Sequence, residues 1–460
     1  MSSFGKDFIW GAATAAYQIE GAYNLDGRGM SIWDTFSRMP GKVANGDTGD
    51  IACDFYHLYP KDISMMQELG IKHFRMSLAW SRMFPDGDGN RNQKGFDFYD
   101  RVIDALLEAG IEPNVTLYHW DLPQALQDRG GWPTRSVLDP FEDYARAVGE
   151  HFGDRVKRFA PINEPWCVSW LGYGLGIHAP GATDYSQAIA AAHHTVVAHN
   201  RATRALHETV SNALVGPVLN QTMPDVDDIT DPFQMNAARV LDMYQNTFWM
   251  NAILKGEYPE TAYEFYGDRL TSVIQEGDLE VQPIEWLGIN FYSNARIGHQ
   301  ITGQSQMKQG VVANLIGASI ESTPQGPLTD MGWPITPQGI GDLLVRWTRE
   351  YPDVLPQLVI SENGCAYPDG PDADGIVNDT RRIDYLNSHI ASVERAIERG
   401  ANVGGYYEWS LLDNYEWSYG YEKRFGMVHV DYETQVRTPK QSARWYADVI
   451  RQNGLPKVSK

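Results

Sequence analysis

A single (β/α)8 barrel of the TIM type, α/β in class and with extended βα loops, is the fold predicted for residues 1–460. Three observations predict it. Eight short strand-like runs alternate with helical patterns from end to end. No linker rich in Pro, Gly or Ser divides the chain, so one domain is expected. No Gly-x-Gly-x-x-Gly turn follows the first run, which disfavours an open doubly wound sheet.

The candidate strands are 8–13, 72–77, 112–118, 156–162, 213–219, 286–292, 358–362 and 403–409. Between them lie segments with helical apolar patterning, among them 61–69, 97–108, 140–152, 186–208, 235–254, 340–350 and 381–399. In such barrels chemistry collects at the C-terminal ends of the strands. Gln18 follows the first run, and His119 follows the third. The fourth leads into Ile162-Asn163-Glu164-Pro165. Asn290 and Tyr292 close the sixth, the seventh runs into Ile360-Ser361-Glu362-Asn363-Gly364, and Trp409 ends the eighth. The two glutamates lie nearly two hundred residues apart, so only a closed fold brings them together. Two carboxyls facing one sugar bond are the minimum equipment for glycoside hydrolysis.

Bulk composition narrows the partners. A net charge of −21 and a pI near 4.9 argue against nucleic acid and anionic membrane, which need a basic surface. Aromatic residues are 12% of the chain, a share suited to stacking on sugar rings as well as to packing. Cys53, Cys167 and Cys365 are odd in number and widely spaced, which is not a disulfide framework. Cys365 reads as a small buried residue. No basic stretch followed by an apolar core opens the chain, and no run has the length of a membrane span, so a cytoplasmic location is the expectation. His193, His194 and His199 lack the His/Glu spacing of a zinc site and read as packing and surface residues. Neither a metal nor a cofactor is expected, and oligomeric state is not legible.

Over nearly its whole length the chain resembles glycoside hydrolase family 1, the retaining β-glucosidases. The resemblance rests on FIWGAATAAYQIEG at 8–21, Asn163-Glu164-Pro165, Ser361-Glu362-Asn363-Gly364, WSLLDNYEW at 409–417 and KRFG at 423–426. Two positions depart from the family pattern, where Thr often precedes each motif's core. Here Ile162 precedes Asn163 and Ser361 precedes Glu362. The Ser361 hydroxyl is expected to keep Glu362 in its local hydrogen bonding.

The resemblance implies a retaining β-glucosidase acting on disaccharides, short cello-oligosaccharides and aryl or alkyl glucosides, with galactosidase or fucosidase side activity. Glu362 is then the nucleophile and Glu164 the general acid/base. Asn163 would meet the sugar 2-hydroxyl, and Gln18, His119 and Glu416 the other hydroxyls. Trp409 and Trp417 would supply a stacking platform and the 4/6-hydroxyl contact. Tyr292 would hydrogen-bond Glu362, and Asn290 would support the nucleophile side. Trp333, in Met331-Gly332-Trp333-Pro334, would carry the leaving group, with Trp166 and Phe425 at the mouth. Residues 297–329 would form a surface loop beside that mouth. Glu416 would repel a 6-phosphate, which disfavours a phospho-sugar substrate. A transglycosidase and a non-catalytic sugar-binding protein are the alternatives on the same scaffold.

Overall fold

The computed structural model describes residues 3–300, 318–321 and 326–456. In chain order its strands are β1 (Ile9–Ala13), β2 (His73–Ser77), β3 (Glu112–Tyr118), β4 (Arg158–Ile162), β5 (Leu214–Val215), β6 (Val218–Asn220), β7 (Pro224–Asp225), β8 (Trp286–Asn290), β9 (Ala295–Gln300), β10 (Ala318–Glu321), β11 (Gln357–Asn363), β12 (Val403–Trp409), β13 (Val428–Val430) and β14 (Arg437–Pro439). Nine of them form one parallel sheet in the order β5-β4-β3-β2-β1-β12-β11-β8-β6.

The two ends of that order are halves of one run. Only Gly216 and Pro217 separate β5 from β6, and Pro217 has no N–H to give to a ladder. β5 pairs with β4 on one side, β6 pairs with β8 on the other, and a bridge from Asn163 to Val218 joins β4 to β6. Nine ladder strands are therefore eight staves of a closed (β/α)8 barrel. The fifth strand, expected as an unbroken 213–219, is divided at the proline for this reason.

Eight helices alternate with the staves: Phe55–Glu68, Gln93–Glu108, Leu138–Phe152, Tyr185–Thr209, Pro232–Asp242 continuing through Phe248–Lys255, Pro337–Glu350, Thr380–Glu398 and Gln441–Gln452. The fourth opens where the Asp184 carboxylate accepts from the backbone N–H of Ser186 and Gln187, at 2.8 and 3.1 Å. The run expected as one helix over 235–254 contains a wider π turn at Met243–Thr247, and Tyr244 on that turn reaches the cavity described below. The eighth helix, Gln441–Gln452, had no counterpart among the segments singled out in the sequence. Two smaller sheets, β7-β9-β10 and β13-β14, lie outside the barrel. Most of the 297–329 segment falls outside the described residues.

The staves are buried on both faces. Phe74 and Met76 of β2, and Leu358 and Ile360 of β11, pack outward under the helices. Ile9, Ala13, Ala160, Val218, Trp286, Val359 and Tyr407 pack together in a separate, inner cluster. His193, His194 and His199 are all buried, which corrects the expectation that some lie at the surface. His193 sits between the Tyr258 hydroxyl and the Asp278 carboxylate, at 2.9 Å from each. Among the described residues no helix is long and apolar enough to cross a membrane, and no group of three or more His, Cys, Asp or Glu could hold a metal ion.

Closure is tight at the split stave. A Cβ on Gly216 would lie 2.3 Å from the Trp286 carbonyl oxygen and 2.6 Å from its indole. Gly216→Ala is expected to destabilise the protein by about 1–3 kcal/mol. The urea midpoint should fall with an unchanged m-value, and an unmoved midpoint would contradict this account of closure.

Candidate active site

The C-terminal ends of the staves open into a cavity of about 510 Å3, the size of a small-molecule site. Eleven of the thirteen residues expected at the site line it: Glu164, Glu362, His119, Asn290, Tyr292, Trp166, Trp333, Trp409, Glu416, Trp417 and Phe425. Gln18 and Asn163 stand behind the wall, fully buried, and touch it through hydrogen bonds.

Backbone irregularities aim the two central glutamates. On β11, Ile360 pairs with Ile289, and the next pair is Glu362 with Asn290. One residue is skipped, so the usual alternation fails: Ser361 reaches Asn290 on the neighbouring β8, and Glu362 reaches Arg75 on β2. Glu164 has φ 47°, a left-handed conformation uncommon outside glycine, and costing of order 1–3 kcal/mol. Its N–H is held by the Val218 carbonyl at 2.9 Å, on the split stave.

A residue that motif reading passed over organises the site. Arg75 points inward from β2, between the outward Phe74 and Met76, and is fully buried. Its Nη1 donates to Glu362 Oε1 at 2.6 Å, and its Nη2 donates to Asn163 Oδ1 at 2.7 Å. Arginine only donates, so the Asn163 oxygen must face it. Asn163 Nδ2 then donates to His119 Nε2 at 3.1 Å, which places the proton of the neutral imidazole on Nδ1. That nitrogen is buried and without a protein partner, a donor available to a sugar hydroxyl. Burial, then the Arg75 charge, pushes the His119 titration well down and keeps the ring neutral. The same oxygen of Asn163 also accepts from Asn290 Nδ2 at 3.2 Å.

Asn290 reaches further, to Glu164 Oε1 at 2.6 Å. Its Oδ1 accepts from the Ser361 hydroxyl at 2.6 Å. Two expectations change here. The Ser361 hydroxyl serves Asn290 rather than Glu362, because the skipped residue on β11 aims it at the neighbouring stave. Asn290, expected to support the Glu362 side, acts on Glu362 but bonds Glu164 most closely. Tyr292 donates its hydroxyl to Glu362 Oε2 at 2.8 Å.

The two glutamates therefore have contrasting surroundings. Glu362 is gripped by a cation and a phenol. Burial raises its pKa, and Arg75 and then Tyr292 pull it back. Glu164 is held by a neutral amide and by the Cys167 thiol, at 2.9 Å from its Oε2. Burial raises its pKa, and the Glu362 charge raises it further. The proton shared by this pair belongs mainly to Glu164. Glu416 is a third carboxyl in the same field. Burial, then the charges of Glu362 and Glu164, pushes it up to about 8.

The end of the pocket away from this pair is aromatic. His119 lies nearly parallel to Trp409 and Trp417, with centroids 5.7 and 5.9 Å away. Gln18 Nε2 donates to Asn414 Oδ1 at 3.0 Å and to the Tyr415 carbonyl at 2.9 Å. Its Oε1 is a buried acceptor with no protein partner. Trp333 and Phe425 pack with Tyr292, and Trp166 packs edge-on against Tyr244. Trp120, His178 and Tyr244 also line the cavity and were not singled out in the sequence. Only Arg75 carried a local signal, a charge between the apolar Phe74 and Met76 of a strand run.

Known proteins match this chain throughout. The family model described as glycosyl hydrolase family 1 matches residues 1–455. Beta-glucosidase A of Acetivibrio thermocellus is 45% identical over 458 residues, covering 98% of this chain and 99% of the relative. A bifunctional beta-D-glucosidase/beta-D-fucosidase of Bifidobacterium breve is 42% identical, covering 97% of this chain and 98% of that one. The structure of beta-glucosidase from Thermotoga maritima in complex with deoxynojirimycin superposes with a TM-score of 0.93 at 43% identity, covering 99% of this chain and 100% of its own.

Arg75 lowers the pKa of Glu362, so its removal must raise it. Arg75→Met is expected to shift the acid limb of the kcat/KM profile to higher pH and to cut kcat/KM by about 10²–10³-fold. A pH–rate profile on one aryl glycoside checks this, and an acid limb that stays in place would contradict it.

Proposed function

Because the chain belongs to glycosyl hydrolase family 1 and is a glycoside hydrolase, we propose a retaining β-glucosidase that frees terminal, non-reducing β-D-glucose. Its substrates are disaccharides, short cello-oligosaccharides from cellulose breakdown, and aryl or alkyl β-glucosides. The whole chain, 1–460, acts as one catalytic domain in the cytoplasm.

The observation that carries the reading is the unequal treatment of the two buried glutamates. Arg75 and Tyr292 favour a charged Glu362, which suits a nucleophile. Glu164 is buried and faces that charge, so it keeps a proton, which suits a general acid. Glu362 attacks the anomeric carbon while Glu164 protonates the leaving oxygen. Esterification removes the Glu362 charge, so Glu164 sheds its proton more readily and activates water for the second step. His119 Nδ1–H, Gln18 Oε1 and Glu416 hold the glucose hydroxyls, Asn163 meets the 2-hydroxyl, and Trp409 and Trp417 face the ring. Trp333, with Phe425 beside it, carries the leaving group.

Two further observations narrow the sugar. Lys423 is engaged by Asp330 at 3.0 Å and Arg424 by Asp413 at 2.8 Å, so neither cation is left free to balance a 6-phosphate. The Bifidobacterium relative's second activity supports β-fucosidase side activity, and β-galactosidase side activity is proposed beside it.

Proton NMR of the first product tests the mechanism. The β-anomer of glucose is expected first, and initial release of the α-anomer would overturn retention. Glu362→Ala should abolish turnover of para-nitrophenyl β-glucoside. Glu164→Ala should lower kcat/KM on cellobiose by about 10²–10⁴-fold while sparing glycosylation by an activated dinitrophenyl glucoside. Loss of that glycosylation as well would contradict the acid/base role. Across para-nitrophenyl glycosides, β-glucoside should turn over and α-glucoside and 6-phospho-β-glucoside should not.

A further inference from the structure

Nothing in the mechanism above assigns a task to Cys167, yet its sulfur lies 2.9 Å from Glu164 Oε2. Resting on the reading of Glu164 as general acid/base, we propose that Cys167 is a positioning residue that holds the proton-bearing edge of that carboxyl through both halves of the reaction.

The assignment of edges starts from Arg75. Its donors turn the Asn163 oxygen toward Asn290, so the amide nitrogen of Asn290 faces that oxygen and also faces Glu164 Oε1. Oε1 is thus occupied by a donor in every protonation state, and the proton of Glu164 belongs on Oε2. Oε2 is the edge that Cys167 meets. The thiol stands three residues after Glu164, at the start of the turn that opens after Pro165, so it folds back beneath its own motif. The left-handed backbone of Glu164 sets this meeting, and Ser169 closes the turn by donating to the Pro165 carbonyl at 2.8 Å.

A thiol is a weak donor and a weak acceptor. When Glu164 is ionised, the S–H donates to Oε2. When Glu164 is protonated, sulfur offers only a soft acceptor, and the proton remains free to pass to the leaving oxygen. No bond to sulfur forms or breaks. Burial, then the Glu164 charge, pushes the thiol well above its usual range, so a thiolate does not compete for the proton. The charged or titratable groups facing Glu164 from other elements are Glu362, Arg75, Tyr292 and Glu416, and Tyr244 adjoins the thiol.

The test is the alkaline limb of the kcat/KM profile in the full-length wild type, Cys167→Ser and Cys167→Ala. A hydroxyl donates more strongly and should move the limb down by about half a unit to one unit. Alanine removes the donor and should move it up by a similar amount. Opposite shifts support the proposal. A limb unmoved within 0.2 unit in both, whatever happens to kcat, would overturn it and leave Cys167 a packing residue. If the alanine variant does not fold, the serine variant decides alone, since hydroxyl and thiol are close in size. Glu164→Gln separates this proposal from the reading beneath it. If the alkaline limb persists in that variant, the acid/base assignment has failed, whichever way the cysteine variants move.

Discussion

Arg75 supplies the positive charge that lets a carboxylate lie buried in this barrel, and its fixed set of donors orients the polar groups around it. A buried carboxylate without a partner takes up a proton instead of staying charged. With Arg75 against Glu362, one charge is balanced, and the proton of the pair falls to Glu164. The orienting effect then spreads without further charges. Asn163 turns its oxygen to the guanidinium, His119 and Asn290 answer to Asn163, and Glu164 Oε1 answers to Asn290. Each step is forced because an arginine cannot accept and an amide has one donor end and one acceptor end.

The architecture makes that network possible by setting its members on different staves. Arg75 comes from β2, Asn163 and Glu164 follow β4, Asn290 ends β8 and Glu362 lies on β11. Closure through the split stave brings β8 around toward β4, and without it Asn290 could not reach both Asn163 and Glu164. The skipped pair on β11 adds the last requirement, because strict alternation would aim only one of Ser361 and Glu362 at the network.

A second buried network holds the far end of the pocket. Asp413 accepts from Lys440 at 2.9 Å, from Arg424 at 2.8 Å and from the Gly426 N–H at 2.9 Å. It pins the irregular segment that carries Glu416 and Trp417 to the base of the last helix. Asn414 continues the brace to Gln18, so the first and last staves share one wall. The charges at 423 and 424 thus have structural partners, although in the sequence they stand beside the sugar-contacting motif.

Local patterns were sufficient for the eight strands and for seven of the eight helices, because strand alternation and helical periodicity repeat within a few residues. They were also sufficient for Glu164 and Glu362, each embedded in a short motif at the end of a strand run. The break at Pro217 was visible as a residue but not as a place of closure, since closure depends on what β4 and β8 offer to either side. Cys167, Trp120, His178 and Tyr244 carried no local mark, and Arg75 only that of a charge between two apolar strand residues. The sequence by itself determined the barrel and the chemical types gathered at its rim. Only the tertiary structure decided which donor faces which oxygen, because those partners lie on separate staves and a single skipped residue changes where a side chain points.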